Sequence, residues 1–312
     1  MSTTTTVVTG STGARSARRS GAVRRAPWLL LTPFLLLFLL TFILPIFVAI
    51  GSSFTKVSRK GLFGEAGVTS EFAGFSNYQL AIGDGNFMAS IGRVLLFGIV
   101  QVPVMIVAAT VLALLLESAS AKWPGFFRAT YFMPYGLPGV IATILWSFLY
   151  LPGLSPIVDV AAMMGIELDF LGPNTVLWSV ANIVTWTYVG YNMLIIIAQL
   201  KAIPGELYEA ARVDGAGPWR VAFSIQLPLI APALVLTTVF SIIGTLQLFA
   251  EPQVLMMFSP AIDSQYTPNL SAYTMAFAYN EYNVAAAQAV IIALAAFILS
   301  FIFLSLTNRK SS

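Results

Sequence analysis

The side chains able to do chemistry in this chain are few, and those with informative spacing fall in one stretch. The 312 residues include no His and no Cys, which removes imidazole bases, thiol nucleophiles, disulfides and nearly every transition-metal site. No G-x-x-x-x-G-K-S/T phosphate loop occurs, so any energy drawn from ATP has to enter through another chain. The expectation is no catalytic residue, no metal site and no cofactor. What stands out is Lys201–Pro228, long, mixed in charge and regularly punctuated. Pro204 suits a first helical position, and Glu206 and Glu209 fall in opening turns, where acids meet the positive end of the helix dipole. Gly215 and Gly217 can stop that helix with a residue at positive φ, Pro218 can restart one, and Pro228 is expected to begin the next long helix. The outcome is helix, sharp turn, helix. Leu207, Ala210, Ala211 and Asp214 lie three and four apart, a small-residue face suited to a groove on another protein. Periodicity alone fits an interfacial hairpin joining two longer helices equally well.

The elements that must position this loop are apolar. Hydrophobic residues make up 58% of the chain and charged ones 9%, with a mean hydropathy of +0.84; a soluble domain carries about 25% charged residues. This is an integral membrane protein. Six windows are free of charge: Ala26–Phe54, Val94–Leu116, Ala129–Val158, Phe170–Leu200, Val221–Ala250 and Tyr282–Asn308. A bilayer core needs about 20 apolar helical residues, so helices are expected at about 28–50, 89–116, 130–151, 174–199, 227–249 and 284–306. The apolar run near the N-terminus is long and lacks a small-x-small cleavage site, and is read as a retained first helix. Residues 1–27, rich in Ser, Thr, Gly and Arg, are expected to form a disordered basic tail.

Cytoplasmic segments are enriched in Lys and Arg. One side of the six spans collects twelve of them, at Arg15, Arg18, Arg19, Arg24, Arg25, Lys122, Arg128, Lys201, Arg212, Arg220, Arg309 and Lys310. The other side has Lys56, Arg59 and Lys60, with Arg93 near the outer end of the second helix. Both termini and the 201–228 loop are therefore expected in the cytoplasm. The net charge of +3 is scattered over separate loops and forms no basic stripe, which excludes nucleic acid as a partner.

Read as a string, Glu209-Ala210-Ala211, three residues, Gly215, nine residues, Ile225, one residue and Leu227-Pro228 resembles the EAA motif of ABC transporter permease subunits, in the binding-protein-dependent carbohydrate importer family. The resemblance extends to Phe72-Ala-Gly-Phe-Ser-Asn-Tyr78, Gly125-Phe-Phe-Arg128, Tyr131-Phe-Met-Pro134, and Phe249 with Pro252. These are similar to the branch typified by the larger maltose-transporter permease, whose relatives serve other sugars and glycerol-3-phosphate. Two departures occur: Met257-Phe-Ser-Pro260 stands where the family often has Thr-x-Gly-Gly-Pro, and Arg93 where an Asn is usual.

The resemblance implies an all-α membrane protein of six transmembrane helices with the type I ABC importer permease fold. It divides the chain into the tail at 1–27, a first helix and external segment at 28–85, a permease core at 86–306 carrying the coupling loop at 201–228, and a second tail at 307–312. It implies alternating-access import of a carbohydrate, with no enzymatic chemistry in this chain. The implied partners are a second permease, two copies of an ABC ATPase holding ATP and Mg, an extracellular solute-binding protein, membrane lipid and the sugar itself. Carried over, Glu209 faces a basic residue in the ATPase cleft, Ala210 and Ala211 allow close packing, Gly215 makes the turn, and Asp214, Ile225, Leu227 and Pro228 complete the coupling set. Trp186 and Tyr191 fall at positions similar to ligand-contacting aromatics of the family. Aromatic rings cover the apolar face of a sugar while amides and hydroxyls bond its OH groups, so Trp186, Tyr191, Ser241 and Gln247 are the expected pathway contacts, with Asn182, Tyr188, Asn192 and Thr245 behind them. The competing reading, an ion-coupled transporter or channel working without an ATPase, normally places ionisable groups at mid-membrane, and the six windows hold none. An intramembrane enzyme is disfavoured by the missing His and the lack of an intramembrane acid. Helix three, with Pro134, Gly136, Pro138 and Gly139, is expected to bend beside the pathway or a partner.

Overall fold

The computed structural model describes residues 17–59, 68–118 and 120–308. The remaining parts of the expected tails, together with Arg15, Lys60, Glu65, Arg309 and Lys310, lie outside the described residues. Two compact units are present, Met1–Gly51 and Ser52–Ser312. The first is a long helix: α1 (Ala17–Phe38), a π turn at Leu39–Ile43, and α2 (Leu44–Ser53), whose last two residues pass into the second unit. It begins within the stretch expected to be a disordered tail, because Ala and Arg are good helix formers feeding an uninterrupted apolar run. Its side chains from Trp28 onward are largely exposed, as suits a helix whose surroundings are lipid.

In the second unit, the hairpin β1 (Thr55–Arg59) and β2 (Val68–Phe72) pairs Thr55 with Phe72 and Arg59 with Val68, an element absent from the sequence reading. There follow α3 (Ser76–Gly83), α4 (Gly85–Leu116), α5 (Pro124–Phe132) ending in a 3-10 turn at Met133–Gly136, α6 (Gly139–Tyr150), α7 (Pro156–Met163) and α8 (Val176–Leu200). Next come α9 (Gly205–Val213), α10 (Pro218–Val221), a π turn at Ala222–Gln226, α11 (Leu227–Leu246), α12 (Ala250–Leu255), α13 (Pro268–Phe277) and α14 (Tyr282–Asn308). Among the described residues five helices are long and apolar enough to cross a membrane, and six if the bent pair at Pro124–Gly136 and Gly139–Tyr150 counts as one span. The helix expected at 130–151, with its expected bend, is two helices meeting at 100°. Pro134 lies in the 3-10 turn and Pro138 caps α6 in an extended conformation, where neither can continue a helix.

The residues that carried the family resemblance hold these elements together. Asn77 donates to the carbonyls of Ser53 and Thr55, both at 2.8 Å, and Tyr78 shares a 2.7 Å hydrogen bond with the Ser53 hydroxyl. Asn283 at the start of α14 donates to the Ser52 carbonyl at 2.9 Å. Arg128 forms an ion pair with Glu117 at the end of α4. Arg93, the departure noted above, donates to the Tyr266 carbonyl at 2.6 Å and lies 4.3 Å from that ring's centre, pinning the segment before α13 to α4. Burial pushes the Tyr266 phenol above its ordinary value, an effect that the Arg93 charge offsets and Asp263 reinforces.

The core forms around α8. Phe97 of α4 packs with Val180, Ile183, Leu248 and Leu255, and farther along Ala109 and Ala113 pack with Met193, Ile196 and Ile230. Small residues allow close helix approach in lipid, and the extreme case is Gly190 of α8. A β-carbon there would lie 1.8 Å from the Tyr131 carbonyl oxygen and 2.8 Å from the Phe132 nitrogen. Gly190→Ala should therefore cost about 3 kcal/mol or more, since backbone has to move to make room. Thermal unfolding in detergent checks this, with Gly92→Ala as the tolerated control because a β-carbon there meets nothing within 4 Å.

Candidate functional site

A cavity of about 510 Å³ opens where α4, α8, α11, α12 and the bend before α6 converge. The bend places Tyr135 face to face with Tyr191, ring centres 4.6 Å apart at 17°, and edge-on to Tyr188 at 5.8 Å. Gln101 and Asn192, both buried, supply amides to the same wall. Asn192 Nδ2 donates to the Tyr188 carbonyl at 3.1 Å. Gln101 Nε2 donates to Thr185 Oγ1 at 3.3 Å, while Gln101 Oε1 is buried with no partner. A buried acceptor left open costs about 1–3 kcal/mol unless something else donates to it; the side chain lines the cavity, but this oxygen is closed off from it, and the amide has to turn before a ligand hydroxyl can reach it. Of the expected pathway residues, Tyr191, Ser241 and Gln247 line the cavity. Trp186 is not brought to it: its ring packs edge-on against Trp146 at 5.7 Å. Asn182 instead donates to Tyr150 Oη at 2.9 Å and lines a separate, largely aromatic hollow of about 450 Å³.

The loop at 201–228 has the expected form. Pro204 caps α9, Asp214 ends it, Gly215 takes φ +70°, and Pro218 opens α10. Glu209, Ala210, Asp214 and Gly215 are exposed, whereas Ala211 is buried; the outward face is therefore narrower than the four-residue pattern implied. Exposed Leu207 flanks Glu209 on α9, with Val213 at its end. Gln226 reaches back to Tyr208 Oη at 3.4 Å. Pro228 does not start a fresh helix as expected. The chain is helical from Pro218 through the π turn into α11, because widening one turn at Ala222–Gln226 makes room for the Pro228 ring and its missing N–H. Ile225 and Leu227 are half-buried there and Pro228 is exposed.

A model of binding-protein-dependent transport system inner membrane components matches residues 105–311. The chain belongs to this family. The permease is 32% identical to the lactose transport system permease protein of Rhizobium radiobacter, over 80% of this chain and 86% of the relative. It is 27% identical to the probable starch degradation products transport system permease protein of Thermoanaerobacterium thermosulfurigenes, over 91% and 94%. Its fold matches a bacterial ABC transporter involved in the import of the acidic polysaccharide alginate, with a TM-score of 0.79, 20% identity, and 95% and 100% of the two chains covered. It is accordingly a multi-pass component of the cell membrane.

Three cavity residues of this permease escape sequence reasoning. Gln101 is a lone amide within an apolar window, Tyr135 depends on the bend, and Glu251 falls one residue beyond the fifth charge-free window. Only the first leaves a local signal, a polar side chain with no interfacial reason to be there. Two substitutions separate the cavity from the neighbouring aromatic packing. Tyr191→Ala should lower uptake about tenfold, equivalent to ~1.4 kcal/mol, at an unchanged unfolding temperature. Trp186→Ala should lower the unfolding temperature and leave uptake near the parental rate. Paired transport and melting measurements check both, and the opposite pattern would move the pathway to the Trp186 side.

Proposed function

We propose that this permease forms one half of an ATP-driven ABC importer, moving a carbohydrate delivered by an extracellular binding protein by alternating access. The observation that carries the carbohydrate reading is the cavity itself: two stacked tyrosines, a third ring edge-on, and the amide side chains of Gln101 and Asn192 in the same wall. Relatives named for lactose and starch-product transport support it. The chain performs no chemistry and holds no cofactor; ATP and Mg belong to two copies of a cytoplasmic ATPase, and a second permease supplies the other wall of the route. Both termini and the 201–228 loop face the cytoplasm, in keeping with the distribution of Lys and Arg. An ion-coupled transporter acting alone has less support. Among the described residues the cavity offers one acid, Glu251, and no Lys or Arg, and the family is binding-protein-dependent.

In this reading α9 is the coupling helix. Glu209 stands exposed beside Ala210 and meets a basic residue in the ATPase, while the buried Ala211 and the Gln226–Tyr208 contact transmit the docked helix's movement into α11. Glu209→Lys turns attraction into repulsion at a partly desolvated contact. The variant should reach the membrane at parental levels and pair with the second permease, yet lose uptake and hold the ATPase loosely. Co-purification and transport assays check this. Parental transport with firmly bound ATPase would remove Glu209 from the coupling role.

A further inference from the structure

The cavity carries one formal charge that the proposed route has not yet used. Among its described lining residues Glu251 is the only acid, and no Lys or Arg stands with it. Glu251 lies in the first turn of α12 and points toward the start of α6: its Oε1 would be 3.7 Å from a β-carbon on Gly139, the first residue of that helix. The cap of α6 is Pro138, which offers no side-chain hydrogen bond, and the positive dipole end of this twelve-residue helix lies beside the carboxylate. Such a helix end favours a negative charge. No cation among the cavity's described lining residues cancels its charge.

A second negative charge entering this space cannot move far from the first. A sphere of the cavity's volume has a radius of about 5 Å, and like charges at such separations repel strongly in a protein-lined site. A neutral ligand meets the opposite situation, because hydroxyl groups donate charge-assisted hydrogen bonds to both carboxylate oxygens. The stacked rings of Tyr135 and Tyr191 and the amides of Gln101 and Asn192 suit the rest of such a molecule. We propose that Glu251 makes this cavity selective for uncharged, hydroxyl-rich sugars and excludes sugars bearing carboxylate or phosphate. The inference rests on the reading of the cavity as part of a carbohydrate route.

The test is binding to the assembled transporter, this chain with the permease and ATPase subunits that co-extract with it, held in lipid nanodiscs at low salt. Maltotriose and lactose serve as neutral probes, trigalacturonate and glucose-6-phosphate as anionic ones, with calorimetry as the readout. The parent should bind the neutral probes about 30-fold more tightly than the anionic ones, a ratio equivalent to about 2 kcal/mol. Glu251→Gln keeps the shape and removes the charge, and should bring that ratio to within about threefold. Glu251→Asp keeps the charge and should preserve most of the preference, which guards against a Gln variant that assembles poorly. An unchanged ratio in Glu251→Gln, with neutral sugars still bound, overturns the role of Glu251 and leaves the carbohydrate reading standing. Saturable binding of no probe to the parent overturns both.

Discussion

The backbones of α5 and α8 lie in direct contact, and the rest of the site depends on that closeness. Gly190 has no side chain, so the Tyr131 carbonyl can rest where a β-carbon would otherwise be. From that anchor the chain runs through Pro134, turns by 100° and restarts at Gly139. The turn carries Tyr135 over Tyr191 and sets the start of α6 against Glu251. Hydrophobic burial alone would allow α5 and α8 many registers; a carbonyl seated on a glycine allows few.

Broken helices are costly in lipid because each freed backbone group needs a partner, and this permease meets the cost in two ways. At the α5–α6 bend Pro134 is buried, and Tyr135 and Gly139 border the cavity, where irregular backbone is tolerated. At Pro45 and Pro228 the helix is kept and only widened: π turns at Leu39–Ile43 and Ala222–Gln226 contain the residues four before each proline, whose carbonyls would otherwise collide with the ring. The second of these lies between the α9 hairpin and α11.

The α9 hairpin was legible in the sequence because each of its breaks is made by a residue with one conformational meaning: Pro204 and Pro218 at helix starts, Gly215 at positive φ. Long charge-free windows marked the spans for the same reason, since few other structures tolerate them. Legibility failed where tertiary placement decides. Nothing local separates Trp186, which packs on Trp146, from Tyr191, which lines the cavity five residues later on the same helix. The β1–β2 hairpin was read as part of a plain external segment because its stability comes from contacts far along the chain, such as Asn283 on Thr55. Glu251 falls just outside the fifth window because a boundary drawn by charge excludes the first charged residue whatever helix it belongs to.

The fold is shared with a bacterial ABC transporter involved in alginate import. In this account the chain is only half of a route and none of a motor. The most direct measurement is sugar uptake into proteoliposomes containing this permease with its partner permease, ATPases and binding protein, compared with proteoliposomes containing this chain alone. The account predicts uptake that requires ATP and every partner, with ATP hydrolysis stimulated by the loaded binding protein. Concentrative uptake by this chain alone, driven by an ion gradient without ATP, would contradict it.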